Sequence, residues 1–379
     1  MKIIRRFVCF LITVLFLNCT SDGQEGPIIV KTPTKPVENN QDVIPDNSSD
    51  NSNNTSVDSN NTSNNSNNNN EDKNLNNYNL NEVLFTSQLN GYIVAEGAIF
   101  KTTNGGDDWQ IINENSSINF TAISFNDSIK GFVGGNDQFY SYVFKTENGG
   151  LTWSQIGRFW FSNERTEVIN IFSNIDNKKV VLLINNYPNA TQSIGSVFFT
   201  EDSGLNWKKT QLNHRSPGLS SGDFIDDKII ISSKRYWTGY EYKSRLYSNS
   251  FFQNNDMYFE DIKTELDIEL NDLDMFQKYG YAVGERGNYL ISDNYGKDWT
   301  QKNISNYSEV SLTNVKFYND STGIATTING DFLKTSNYGN VWENILSLNE
   351  EEITDFEVKN STIYIIGKNG FTKEIVLDL

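Results

Sequence analysis

The sequence predicts an all-β fold: a single seven-bladed β-propeller of four-stranded blades, preceded by a disordered tether. Three observations carry the prediction. An eight-residue pattern, [ST]-x-[DN]-x-G-x-x-W, occurs five times, at Thr102–Trp109, Thr146–Trp153, Thr200–Trp207, Ser292–Trp299 and Thr335–Trp342. Its tryptophans lie 44, 54, 92 and 43 residues apart, so a repeat near 44 residues runs through the chain, with one decayed copy in the long interval. Between the copies stand short β-type runs bounded by Gly, Asn and Asp, among them "GYIVAEG", "GFVGG", "GYAVGERG" and "TGIAT". Four antiparallel strands about every 44 residues is the signature of a propeller blade.

Residues 1–18 read as an export signal. Lys2, Arg5 and Arg6 precede an apolar run from Phe7 to Leu17 that is too short to span a bilayer as a helix. The run ends at "FLNCTS", where Cys19 stands as a lipid-attachment cysteine would; ordinary secretory cleavage is the alternative. Residues 19–79 are nearly free of large apolar side chains and rich in Asn, Ser and Asp, so they cannot bury enough surface to offset their ordering entropy. They form the expected linker, and residues 80–379 the propeller.

Inner strands are expected to start near Glu82, Phe120, Val168, Gly222, Asp272, Thr313 and Ile353. The unit at Gly222 carries the decayed pattern, which keeps Ser248 and Asn249 but loses Gly and Trp. The last unit has no chain left for an outer strand, so residues near Asn74–Leu80 are expected to supply it and remove an exposed edge.

The pattern itself is expected to form the hairpin between a blade's two outer strands. Asn104, Asn148, Asp202, Asn294 and Asn337 would bond backbone N–H groups two residues on. Gly106, Gly150, Gly204, Gly296 and Gly339 would accept a positive φ. Trp109, Trp153, Trp207, Trp299 and Trp342 would cover the apolar base. All fifteen are read as structural.

Composition narrows the chemistry. The only cysteines, Cys9 and Cys19, belong to the signal, and His214 is the one histidine, so a thiolate, disulfide or multi-histidine metal site in the propeller is excluded and no cofactor is expected. Without residues 1–18 the chain keeps 28 Lys+Arg against 48 Asp+Glu, a surface that repels nucleic acid and anionic lipid. Membrane association would rest on the N-terminal lipid alone, and the protein is expected to be a monomer at the outer membrane or cell surface, or else secreted or periplasmic.

The unit "GYAVGERGNYLISDNYGKDW" resembles the BNR or Asp-box repeat, and most closely propellers of the photosystem II assembly/stability factor type. That resemblance spans about residues 80–379 and implies a non-catalytic scaffold that holds protein subunits. The exported, Asn-rich layout is similar to Bacteroidota-type envelope lipoproteins. Sialidases also carry Asp boxes, but their R-I-P motif is absent here.

The boxes mark one face of the propeller, so a binding site is expected on the other, where insertions concentrate in consecutive units. All six arginines outside the signal fall there: Arg158, Arg165, Arg215, Arg235, Arg245 and Arg286. Phe159, Trp160, Tyr236, Trp237 and Tyr240 are interleaved with them. Arginine with aromatics is the composition of interface hot spots and of sites for carboxylates or sugar rings. An envelope protein or peptide is the expected partner, with a glycan as the alternative. Glycoside hydrolysis is the one enzyme class to weigh, but nothing in the spacing of Glu164, Glu167, Asp223 and Glu241 selects a catalytic pair.

Overall fold

The computed structural model describes residues 75–377, apart from 163, 211, 213–216, 250–256 and 350. The expected signal peptide, Cys19, most of the expected linker, His214 and Arg215 lie outside the described residues. Described residues form an antiparallel all-β propeller, and each expected inner-strand start falls within a strand.

The blade count needs correction. Hydrogen bonding divides the strands into six sheets, of six, four, five, four, four and three strands, not seven of four. The difference begins in the first sheet. The run "GYIVAEG" was expected to be a short strand of its own, but Gly91–Thr102 is one continuous strand in which Gly97, at φ +84°, sits at a register shift. The next strand, Gln110–Phe125, carries the end of one repeat directly into the start of the next, so two repeats share a sheet.

The second sheet runs from Arg165–Ser173 to Lys208–Thr210, and the third from Leu219–Ile225 to Phe259–Leu266. The fourth spans Leu270–Phe276 to Thr300–Asn303, and the fifth Leu312–Phe317 to Glu343–Ser347. The sixth holds only Ile353–Lys359, Thr362–Gly367 and Thr372–Val376. The strand expected from Asn74–Leu80 is not its outer edge: Leu75–Asn77 is a 3₁₀ turn, and the Tyr78 carbonyl accepts the Gly370 N–H at 2.8 Å.

Apolar faces pack between neighbouring sheets. Phe332, Phe356 and Ile365 fill the space between the fifth and sixth, and Ile93, Phe100 and Ile366 between the sixth and first. The first inner strand fully encloses Leu80 and Val83, three residues apart because its register shifts between Leu80 and Glu82.

The boxes form the expected hairpins with one correction to their bonding. The Asn or Asp side chain accepts the N–H four residues on, not two: Asp108 N–H to Asn104 at 3.0 Å, Thr152 to Asn148 at 2.9 Å and Val341 to Asn337 at 2.8 Å. The leading Thr or Ser hydroxyl takes the Gly N–H, as from Gly106 to Thr102 at 2.9 Å. This longer reach makes each box a closed loop that then docks on the preceding repeat. Tyr92 donates to the Gly149 carbonyl at 2.9 Å, Tyr289 to Gly339 at 2.8 Å, and Trp109 donates to Tyr364 at 2.7 Å. That last bond ties the first box to the last sheet and helps close the ring.

Gly106 shows how tight this docking is. Its φ is +104°, and a Cβ there would lie 2.4 Å from the Tyr364 ring. Gly106→Ala is expected to lower unfolding stability by about 2–4 kcal/mol through strain and overpacking. Urea unfolding would measure it, and an unchanged midpoint would contradict this account of the box.

Candidate functional site

Two hairpins extend from neighbouring sheets on the face opposite the boxes. One joins Val180–Asn189 to Gln192–Thr200; the Thr191 N–H donates to Asn189 Oδ1 at 3.0 Å and holds its tip. The other joins Tyr236–Trp237 to Tyr242–Asn249, with the Thr238 N–H donating to the Glu241 carbonyl at 2.8 Å and Gly239 at φ +111°. Between them lies a cleft of ≈ 880 Å³, walled by Gln192, Ile194, Pro217, Arg235, Trp237 and Tyr242.

The cleft's aromatic wall is open to solvent. Trp237 is 50% exposed and Tyr240, at the hairpin tip, 93%. The Trp237 and Tyr242 rings stand 5.1 Å apart. Arg235 is fixed beneath them by an ion pair from Nη1 to Glu285 at 2.9 Å, and its guanidinium lies 5.7 Å from the Tyr242 ring centre. Its buried Nε has no acceptor within the described chain. A buried donor left open in a cleft wall is suited to a carbonyl or carboxylate from outside.

The other expected face residues divide into two groups. Tyr236 joins the cleft, and its hydroxyl, with Asp261, engages Arg245, so Arg245 is spent on holding the hairpin. Arg286 is exposed beside Glu285, in a turn where its own φ is +57°. Arg158 and Arg165 are drawn instead onto local rings, Tyr140 at 3.6 Å and Tyr187 at 4.1 Å. Trp160 is exposed on the outer strand, while Phe159 packs against Phe198 at 4.3 Å and so serves the core.

The carboxylates weighed for glycoside cleavage do not gather. Glu164 accepts from Asn186 and Glu167 from Tyr187, Glu241 pairs with Lys243 at 3.1 Å, and Asp223 lies in the central channel.

That channel was not foreseen. It has a volume of ≈ 400 Å³ and is lined by Glu82, Asp223, Asp272, Asp274 and Asp355, with Lys316 as the one basic side chain among its lining residues. Each acid has the same occupation: it accepts a backbone N–H from a neighbouring inner strand. Ile123 donates to Glu82 at 3.1 Å, Met275 to Asp223 at 3.1 Å, Val315 to Asp272 at 2.9 Å and Phe317 to Asp274 at 2.8 Å. Val83 donates to Asp355 at 3.0 Å, joining the last inner strand to the first. Inner strands of adjacent repeats do not form a ladder, so these side chains satisfy their edge groups.

Burial raises the acids' pKa values, Asp223 to about 7 and Asp355 to about 6, with Glu82 and Asp274 well above the ordinary range. Burial alone would depress the Lys316 ammonium, but Glu357, 2.8 Å away, and Asp355 outweigh it and raise the pKa. Raised carboxyls suit general acids, yet bonds to neighbouring strands account for all five. Among the described residues no group of three or more His, Cys, Asp or Glu side chains is placed to hold a metal ion.

The family model of the photosynthesis system II assembly factor YCF48 matches residues 60–216. The fold is that of a BNR-type β-propeller. A structure of YCF48 bound to D1 peptide superposes with a TM-score of 0.59 at 16% identity, covering 79% of this chain and 92% of that one. YCF48 from Cyanidioschyzon merolae gives 0.56 at 14% identity, covering 79% and 95%. The WD40 propeller domain of Doa1 gives 0.52 at 10% identity, covering 78% and 92%. No curated protein sequence matches the chain.

Proposed function

We propose that this chain is a non-catalytic binding protein that takes up a protein or peptide segment in the cleft between its two long hairpins. The observation that carries the reading is Arg235: pinned by Glu285, set beneath exposed rings, and presenting a buried Nε–H without an acceptor among the described residues. A peptide segment offers carbonyl or carboxylate oxygens for that donor and side chains for Trp237 and Tyr242. The D1 peptide carried by a YCF48 structure of similar fold supports a ligand of this class. An envelope location, with the propeller tethered through a lipid on Cys19, belongs to the same proposal.

The test is affinity capture from solubilised envelope, with the full chain beside an Arg235→Glu, Trp237→Ala variant. A discrete polypeptide is expected on the full chain, reduced about tenfold or more by the variant, as loss of a central hot spot requires. Equal recovery on both, or recovery of glycan-bearing material alone, would refute the reading.

A further inference from the structure

The box face carries a second cavity, independent of the peptide cleft. It lies between the fourth and fifth sheets, has a volume of ≈ 370 Å³, and is lined by Tyr279, Asp293, Asp298, Lys302, Tyr338 and Asn340 among others. That volume is within the range of small-molecule sites.

What marks this cavity is the residue chosen for a left-handed position. The fourth place of every box has a positive φ: +84° at Gly105, +64° at Gly149, +59° at Ser203, +61° at Tyr295 and +63° at Tyr338. Glycine is the residue that adopts this conformation without cost, and a bulky side chain there is uncommon. Two successive boxes nevertheless use tyrosine. The Tyr338 ring lies 5.3 Å from that of Tyr279 at 44°, and both line the cavity.

The polar groups around the rings offer both acceptors and donors. Asp293 and Asp298 present carboxylates, and Asp298 is steadied by the Asn294 amide at 2.8 Å. Lys302 donates to Asn340, and Lys278 sits 4.9 Å from the Tyr279 ring centre. Among the lining residues two acids stand against one lysine, which leaves the cavity unsuited to an anion. Acceptors, donors and an aromatic platform together suit a ligand with hydroxyls around an apolar ring face.

We infer that this cavity binds the ring of a neutral sugar, with the tyrosines against its C–H face and the carboxylates and Asn340 on its hydroxyls. The alternative, that Tyr338 only packs on Tyr279, makes a different prediction for its replacement by glycine.

Saturation-transfer NMR of the full chain, with glucose, galactose, mannose and N-acetylglucosamine each in millimolar excess, tests the inference. Transfer to the ring protons of at least one sugar is expected, falling about fivefold or more in Tyr338→Gly and in Tyr279→Ala. Tyr338→Gly separates site from fold, because glycine suits the +63° backbone and the thermal midpoint should not fall. Trp237→Ala, on the opposite face, should leave transfer unchanged. No transfer to any of the four sugars, transfer that survives both tyrosine variants, or transfer lost in Trp237→Ala would overturn the inference.

Discussion

Replacing Lys316 by Met is expected to lower the unfolding free energy by about 2–4 kcal/mol at pH 8 and by much less at pH 5. Lys316 Nζ pairs with Glu357 at 2.8 Å and stands among the acids that line the channel. Removing one member of a buried ion pair typically costs about 3–5 kcal/mol, because the remaining charge is left uncompensated. The side chains here keep partial access to channel solvent, 30% for Lys316 and 16% for Glu357, which sets the estimate lower. At pH 5 Asp223 and Asp355, raised to about 7 and about 6, are largely protonated, so there is less charge to compensate. Urea unfolding at both pH values would measure the difference; equal losses would show that Lys316 contributes packing and not charge.

The unaltered protein is expected to be more stable at pH 5 than at pH 8, by about 2–4 kcal/mol in total. Asp355 and Asp223 have folded pKa values raised to about 6 and about 7, chiefly by burial, while unfolded carboxyls titrate near 4. A group raised in the folded state holds its proton more tightly there. Its stabilising contribution is present in full below the unfolded pKa and is lost as pH rises through the folded one. The window therefore runs from about pH 4 to about pH 7. Thermal midpoints across this range should fall with rising pH, and a rise would mean that the N–H bonds to these carboxylates outweigh their burial.

These expectations concern residues whose role sequence alone concealed. The boxes were legible because five copies align Thr or Ser, Asn or Asp, Gly and Trp in one register, and hairpins need those types in that order. The channel left a weaker trace. Glu82, Asp272 and Asp355 each precede an apolar core residue, Val83, Leu273 and Phe356, at the start of an inner strand. A carboxylate at that place reads as a solvated strand end until the neighbouring strand is brought alongside. The sheet count was misjudged for a related reason. Gly97 has the look of a turn glycine, and only pairing across Gly91–Thr102 and Gln110–Phe125 reveals a bulge in a continuous strand.

The candidate cleft was partly readable. Arg235, Tyr236, Trp237 and Tyr240 fall in one insertion, and an insertion on a repeat scaffold projects from one face. Sequence could not say that Arg158 and Arg165 would turn onto Tyr140 and Tyr187, or that Arg245 would be held by Asp261. Those outcomes depend on which ring or carboxylate the fold brings within reach. The partner hairpin at Asn189–Gln192 contributes cleft wall through its length more than through any motif.

The central claim is that the hairpin face, and not the box face, meets a polypeptide. A photo-crosslinking amino acid placed at Tyr240 tests it against one placed at Leu151, which is 72% exposed in a box. In intact envelopes the account predicts a discrete polypeptide adduct from position 240 and none from position 151. Adducts from position 151 alone, or equal yields from both, would contradict it.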